Sequence, residues 1–347
     1  MRYTIFGESH GPAIGVVLEN VPSGLVLDME AVAREMDRRA PGKNLLSTAR
    51  READAVKILS GLFEGRTCGT PLCGVIENTD TRSRDYQNDL PRPGHADYAA
   101  HIRYNGCNDY RGGGHFSGRL TAPLVFAGAV AKQILAQRGI YVGAHIRQIG
   151  PVEDERFDPV HTDPALFRTL ADKSFPTLSD LAGERMRKEI YDARERMDSV
   201  GGAIECAVVG MPAGLGSPDF GCNVEGILSQ HLFAVPAVKA VEFGAGFGFA
   251  SMYGSQANDP LTMVGDRVET TTNHTGGING GITNGMPTVF PVALRPTASI
   301  PQPQQTISLS RRENAELVVH GRHDPCVVHR AVPVIEAAAA LAMTELF

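Results

Sequence analysis

Glycine and proline occupy 60 of this chain's 347 positions, 38 and 22 respectively. Glycine frees the backbone for left-handed turns and close approach, and proline fixes φ and withholds a donor, so a large share of the chain must run through turns and loops. Binding and catalytic groups concentrate in such loops. The histidines follow the glycines: seven of the eleven lie within two residues of one, most of them in compact segments that also carry Arg, Ser or Asp. These segments are GESHG (7–11), RPGHAD (92–97), DYRGGGHFSGR (109–119), NHTGGINGGITNG (273–285) and GRHDPC (321–326). Imidazole beside guanidinium supplies proton transfer and anion binding near neutral pH, and the spread of the segments points to one site assembled by the whole fold.

Composition excludes several functions. With 42% apolar and 21% charged residues the chain reads as a soluble globular protein, and a net charge of -6 argues against nucleic acid as a bulk electrostatic partner. Any basic site must therefore be local. No apolar run approaches the ~20 residues of a membrane span. Met1 leads into a strand pattern with no signal peptide, so the expected location is cytoplasmic, with no membrane partner. The six cysteines are scattered, and Cys68 and Cys73 stand too far apart for the usual zinc pair, so free thiols in a reducing compartment are expected.

Along the chain, RYTIF and AIGVVLENV (13–21) read as strands, and the pattern from Asp28 to Pro41 reads as a helix whose last turn carries Arg38 and Arg39. AVKILSG and TPLCGVIEN are strand candidates, a helix begins near Ala96, and Ser117 is placed to cap a long apolar helix from Arg119 to about 138 that Gly139 ends. Residues 151–179 look irregular and LSDLAGERMRKEIYDARERMDS looks helical, so 151–200 is expected to be a peripheral excursion within a single domain spanning 1–347. AIECAVVGMPAGL (203–215) repeats the shape of AIGVVLENVPSGL (13–25), a hint of two similar halves in one sandwich. A helix at NVEGILSQHLF, strands at VKAVEFG and TVFPVALRP, and a closing helix from about Ala331 complete the second half.

Each segment has an ordinary reading as well as a chemical one. In GESHG, Glu8 and His10 could merely satisfy backbone groups of a tight turn, and RPGHAD could be a turn opening a helix. Glycines before GRLTAPLVF make a flexible loop or a helix N-terminus that exposes amides to phosphate. NHTGGINGGITNG lacks the flanking strand, helix and acidic residue of a dinucleotide fingerprint. No histidine pair has metal-ligand spacing with a carboxylate, so no metal is expected. Arg38, Arg39, Arg92, Arg119 and Arg322 each adjoin one of the segments, which suits a ligand with several carboxylates or phosphates.

In this order the segments closely resemble the chorismate synthase family. The match spans the chain: FGESHG, the turn RRAPG at 38–42, RREAD (50–54), VKILSG (56–61), RPGHAD, DYRGGG, PAVKAVEFG (236–244), GS (254–255), NHTGGINGGITNG, RPTAS (295–299) and GRHDPC. The resemblance implies an α+β fold, a sandwich of antiparallel sheets and long helices with internal duplication, assembled as a homotetramer. It implies anti-1,4 elimination of phosphate from 5-enolpyruvylshikimate 3-phosphate to give chorismate, with reduced FMN and no net redox change. NADPH enters only as a reductant of the flavin, with Arg39 as its contact if it binds, and a separate flavin reductase is the favoured source of reduced flavin.

The resemblance also assigns residues. His10 becomes the general acid for the departing phosphate, His95 faces flavin N1, and Asp324 lies near flavin N5 and assists removal of the ring hydrogen. Arg39, Arg92, Arg119, Arg38 and Ser9 bind the substrate. FMN contacts fall on His115, Phe116, Ser117, Pro236, Ala237, Gly280, Arg295, Pro296, Thr297, Ala298, Ser299 and Arg322. The chain departs from the family pattern at HFSGRLT (115–121), where members carry RSSARET, at Leu45, where an Arg is frequent, and at Arg295, which replaces a Lys. Those departures raise an alternative, a flavin or phosphate binder without activity, while a metal hydrolase lacks the ligand spacing.

Overall fold

The computed structural model describes residues 1–42, 52–81, 86–319 and 324–347. The first half opens with strands β1 (Arg2–Gly7) and β2 (Ala13–Glu19), followed by helix α1 (Met29–Arg39). Asp28 caps α1 by accepting from the Ala31 amide at 2.9 Å, the i, i+4 pair Val32 and Met36 buries its apolar face, and Pro41 stops it. Next come β3 (Lys57–Ser60), the two-residue hairpin β4 (Leu62–Phe63) and β5 (Arg66–Thr67), β6 (Leu72–Glu77), α2 (Asp97–Arg103) and α3 (Thr121–Ala136). Ser117 caps the 3-10 turn that precedes α3, so the long helix starts two residues later than its sequence pattern predicts.

The second half holds β7 (Tyr141–Ile149), β8 (Val152–Glu153), α4 (Pro164–Ala171), α5 (Asp180–Glu195), β9 (Gly202–Val209), α6 (Val224–Phe233) and β10 (Val238–Val241). It continues through the four-residue α7 (Gly254–Ala257) and hairpins β11 (Leu261–Val264) with β12 (Arg267–Thr270) and β13 (Ile278–Asn279) with β14 (Ile282–Thr283). It closes with β15 (Thr288–Leu294), the hairpin β16 (Gln304–Ser308) and β17 (Glu313–Leu317), and α8 (Val328–Thr344). Helix α4 is absent from the sequence expectation, although Asp163 as cap and Pro164 at the first helical position are its signature. Its eight residues are too few to show much periodicity.

The repeat glimpsed in the sequence extends through both halves. One antiparallel sheet has the order β1-β2-β6-β3 and the other contains β7-β9-β15-β10, with β8 added beside β7. Helices α1 and α6 follow the second strand of each set, and α3 and α8 follow the last. Both sheets shift register in the outer pair, between Ile58 and Ser60 and between Val238 and Ala240. The two PxGL turns close on equivalent threonines. Leu25 N donates to Thr67 Oγ1 and Leu215 N to Thr283 Oγ1, both at 3.0 Å, while each hydroxyl donates to the turn's proline carbonyl, at Pro22 and Pro212. Equivalent backbone bonds run from Gly24 to Thr67 and from Gly214 to Thr283.

Helices α3 and α8 pack against each other between the sheets, α3 touching β2 and β6, and α8 touching β7 and β9. The stretch AAAALAM lets α8 run buried from Ala331 to Thr344. Residues 151–200 cover the outer face of the second sheet. There Phe157, Phe167 and Leu170 pack on Ala207, Val209 and Val289, while Ile204, Cys206 and Val208 face the main core, so β9 is apolar on both sides. His145 is clamped beneath this layer between Asp154 and Glu205 at 3.2 and 3.1 Å. Burial alone would lower its pKa, but the two carboxylates raise it above the ordinary imidazole value, so the clamp favours the charged ring. Among the described residues no helix is long and apolar enough to cross a membrane.

His329, in the first turn of α8, shows the opposite case. Its ring lies near-parallel to Phe175, and neither nitrogen has a hydrogen-bond partner among the described residues. Burial pulls its pKa down to about 4. Because the folded value lies below the unfolded one of 6.5, the unfolded chain binds more protons in that window, and stability is lost as pH falls from 6.5 to 4. Replacing His329 with Leu is therefore predicted to remove up to about 3 kcal/mol of acid sensitivity. Urea unfolding at pH 7 and pH 4.5 checks this; equal losses in both proteins would contradict it.

Candidate active site

A cavity of about 700 Å³ opens where the first turns of α3 and α8 meet, lined by Thr121 and Leu124 of one and Arg330, Ala331 and Val334 of the other. The positive dipole ends of two long helices make this region favourable to negative charge. Three glycines organise its floor. Gly112, Gly113 and Gly114 all have positive φ, at 61°, 84° and 54°. A Cβ on Gly112 would lie 2.5 Å from His10 Nε2 and 3.0 Å from Ser9 Oγ, and one on Gly113 would lie 3.1 Å from His95 Nε2. The two imidazoles thus rest on adjacent residues of one turn, which only glycine could supply. Ser9 N donates to Gly114 O at 3.1 Å and His115 Nδ1 donates to Gly7 O at 2.9 Å, stapling GESHG to GGGH. Tyr86 meets the His10 ring edge to face at 5.3 Å.

RPGHAD folds into a second unit. Asp97, at the start of α2, accepts from Arg92 Nε at 2.7 Å, Arg92 Nη2 at 2.9 Å and His95 Nδ1 at 2.6 Å. Although burial works the other way, these donors hold its carboxyl well below the usual carboxylate range. With Nδ1 donating to Asp97, His95 presents Nε2 to Gly113 and the cavity. Arg92 Nη1 reaches across 207 residues to Ser299 Oγ at 3.0 Å.

Arg39 and Arg119 share one buried acid. Arg39 Nε donates to Asp54 Oδ2 at 2.9 Å, and Arg119 Nη1 donates to Asp54 Oδ1. Arg119 Nε takes Asn78 Oδ1 at 3.0 Å, with Glu52 3.8 Å from its Nη2, and Arg39 Nη1 takes Thr121 Oγ1 at 3.2 Å. Burial lowers the Arg39 pKa to about 10 despite Asp54, still leaving it a cation at neutral pH. The acids behind these guanidiniums fix their direction, so the cavity meets a ligand with aimed donors.

The remaining wall joins distant segments. Pro236, Ala237 and residues 294–299 line the cavity together with Phe116 and Ser117, and Lys239 and Arg295 supply further positive charge. Arg295 Nη1 donates to Gly94 O and Ser199 Oγ to Thr297 O, pinning the RPTAS run from both sides. Thr297 Oγ1 is buried without a partner among the described residues, a polar atom available to an occupant of the cavity. Asp324 closes the site and accepts from Arg330 Nη1 at 2.7 Å.

The cavity gathers His10, His95, Asp324, Ser9, Arg39, Arg92, Arg119, His115, Phe116, Ser117, Pro236, Ala237 and Arg295 through Ser299. Two expected residues lie elsewhere. Arg38, one step beyond the face that Arg39 occupies, donates to Glu336 Oε2 and Oε1 at 2.6 and 2.8 Å and to Glu35, because successive helix residues point ~100° apart. Despite their burial these charges hold one another ionised, raising Arg38 and lowering Glu336, and Lys132 joins them. Arg38 is therefore an internal strut here, turned away from the cavity where a substrate contact was expected. Gly280 sits exposed in the turn of the β13–β14 hairpin, outside the cavity lining, and Arg322, His320, His323 and Leu45 lie outside the described residues. Sequence reasoning missed Glu52, Asp54, Asn78, Asp97, Tyr86, Lys239 and Arg330. Asp97 carried a local signal, two residues after His95 in a short loop, and Glu52, Asp54 and Lys239 lay in the matched segments RREAD and PAVKAVEFG without an assigned role. Among the described residues no group of three His, Cys, Asp or Glu could hold a metal.

The chain is similar throughout to one family of known proteins. The chorismate synthase family model matches residues 1–347. A chorismate synthase of Thermococcus gammatolerans is 46% identical over 99% of this chain and 95% of its own length. That of Aeropyrum pernix is 47% identical over 99% and 90%, and that of Dehalococcoides mccartyi 43% over 99% and 94%. A crystal structure of chorismate synthase superposes with a TM-score of 0.78 at 29% identity, covering 99% of this chain and 90% of that one.

Gly112→Ala is predicted to destabilise the protein by about 1–3 kcal/mol, since it combines a left-handed backbone with overlap onto His10. Gly118→Ala, with nothing within 4 Å of its added carbon, is predicted to be near neutral. Urea unfolding of the pair checks the turn's role; equal behaviour would contradict it.

Proposed function

The chain belongs to the chorismate synthase family, and on that premise we propose how its cavity divides the family's reaction among its residues. The reaction is anti-1,4 elimination of phosphate from 5-enolpyruvylshikimate 3-phosphate to give chorismate, a carbon–oxygen lyase step in the shikimate pathway that depends on a flavin and leaves no net redox change. The observation that carries the assignment is the seating of His10 and His95 on adjacent glycines, within reach of three anchored guanidiniums.

Arg39, Arg92 and Arg119 take the phosphate and two carboxylates of the substrate, and Ser9 adds a hydroxyl beside His10. His10 gives a proton through Nε2 to the phosphate as its C–O bond breaks, offsetting charge on the leaving group. His95, its Nδ1 held by Asp97, exchanges a proton at Nε2 where the flavin's polar edge would lie. Asp324 assists departure of the ring hydrogen. The flavin is FMN: a volume of about 700 Å³ suits it together with a small ring substrate, and the 294–299 wall with the unpartnered Thr297 hydroxyl suits a polar, elongated ligand. Its contacts are His115, Phe116, Ser117, Pro236, Ala237 and Arg295 through Ser299. Bound there in reduced form it would supply electron density to the ring as phosphate leaves, with no net redox change.

NADPH serves only to reduce the flavin, and the reduced flavin comes from a separate reductase in the cytoplasm. The assembly is a homotetramer, and the apolar side chains exposed on the β11–β12 hairpin and in residues 247–253 before it, Leu261, Met263, Val268, Phe247 and Tyr253, offer it an interface between subunits. With His10, His95 and Asp324 all lining the cavity, the departures at residues 115–121 do not favour a binder without activity.

Anaerobic assays with reduced FMN and substrate are predicted to release phosphate and chorismate. His10→Ala and His95→Ala are each expected to lower kcat by about 10²- to 10⁴-fold; wild-type rates in either variant would remove its role. FMN-loaded protein alone is predicted not to oxidise NADPH, and rapid oxidation would assign it the reductase activity.

A further inference from the structure

Arg330 has no part in the roles assigned so far, yet it lines the cavity and touches two residues that do. Its Nη1 donates to Asp324 Oδ2 at 2.7 Å and its Nε to the carbonyl oxygen of Arg39 at 3.2 Å. Both members of the Asp324–Arg330 pair keep about one-sixth of their side-chain surface accessible, 15% and 17%. Its charge reaches the Arg39 guanidinium and the buried His329 as well.

Stability alone accounts poorly for this arginine. It occupies the first turn of α8, where a cation opposes the helix dipole by about 0.3–1 kcal/mol. The neighbouring cavity residues Val327, Ala331 and Val334 are apolar, so an apolar side chain would pack there without desolvating a charge. A guanidinium does offer a planar fork that fixes the plane of a carboxylate while a second edge holds another acceptor. Here the two acceptors are the carboxylate next to the reacting ring and the backbone of an anion-binding residue at the end of α1.

We propose that Arg330 is a positioning residue for the elimination: it orients the Asp324 carboxylate toward the departing ring hydrogen and ties that orientation to Arg39. The inference rests on the reading of Asp324 given above. In the net step the ring hydrogen leaves as a proton, its C–H pair enters the ring, and the ring double bond shifts to expel phosphate with the C–O pair. A carboxylate misplaced by about 1 Å would slow the hydrogen's removal by on the order of 10²-fold while leaving substrate binding to the other arginines.

The test uses full-length enzyme, anaerobically reduced FMN, and substrate with either hydrogen or deuterium at the ring carbon that loses it. Arg330→Gln is expected to lower kcat about 10²-fold with KM within about threefold, and to enlarge the isotope effect on kcat as hydrogen removal becomes slower relative to other steps. Arg330→Lys, which can reach Asp324 without bridging to Arg39, is expected to recover about tenfold of that loss. Wild-type kcat and isotope effect in Arg330→Gln would overturn the proposal, as would a raised KM with the isotope effect unchanged, which would make Arg330 a substrate anchor. If Arg330→Gln does not fold, Arg330→Lys decides by the same two readouts. Asp324→Asn is measured in parallel. Wild-type behaviour there overturns the reading of Asp324 itself, whereas an impaired Asp324→Asn beside a normal Arg330→Gln overturns only the role of Arg330.

Discussion

The crossing of α3 and α8 sets the distance between the two halves of this protein. A Cβ on Gly128 would fall 2.2 Å from Ala337 Cβ and 2.4 Å from its Cα, so the helices meet at a separation that only glycine against alanine permits. Each helix belongs to one copy of the repeated strand and helix unit, and each carries its own sheet. Their contact brings both first turns, the positive ends of the two helix dipoles, to the same cavity. The anion preference of the site thus follows from the duplication before any arginine is counted.

The arginines then give that preference direction. Asp54 lies between Arg39 and Arg119, Asp97 holds Arg92 and His95, and Asp324 pairs with Arg330. In each case an acid close to a cation removes much of the net charge while locking geometry. A polyanionic substrate therefore gains more from donors already aimed than from bulk attraction, consistent with a chain whose overall charge is -6. The glycine turn 112–114 does the same for the imidazoles without charge, by letting His10 and His95 lie against the main chain.

Much of this was legible in the sequence because glycine and histidine label the places where backbone and chemistry meet. The PxGL repeat pointed to duplicated halves, and Thr67 and Thr283 show it bond for bond. What stayed hidden depended on partners far away in the chain. Arg38 and Arg39 look equivalent in sequence, but a helix turns one toward the cavity and the other to Glu336, 298 residues on. Asp54 gives no sign that two arginines will share it, since its partners are 15 and 65 residues away. Arg330 was hidden by its setting, an apolar helix start that reads as core.

The most direct test of a single polyanion and flavin site at the meeting of α3 and α8 is a crystal structure with FMN and substrate bound together. The account predicts the flavin along residues 294–299 and the substrate's phosphate and carboxylates on Arg39, Arg92 and Arg119, with His10 Nε2 nearest the phosphate oxygen that leaves the ring. Flavin or substrate bound outside this cavity, or phosphate placed away from His10, would contradict it.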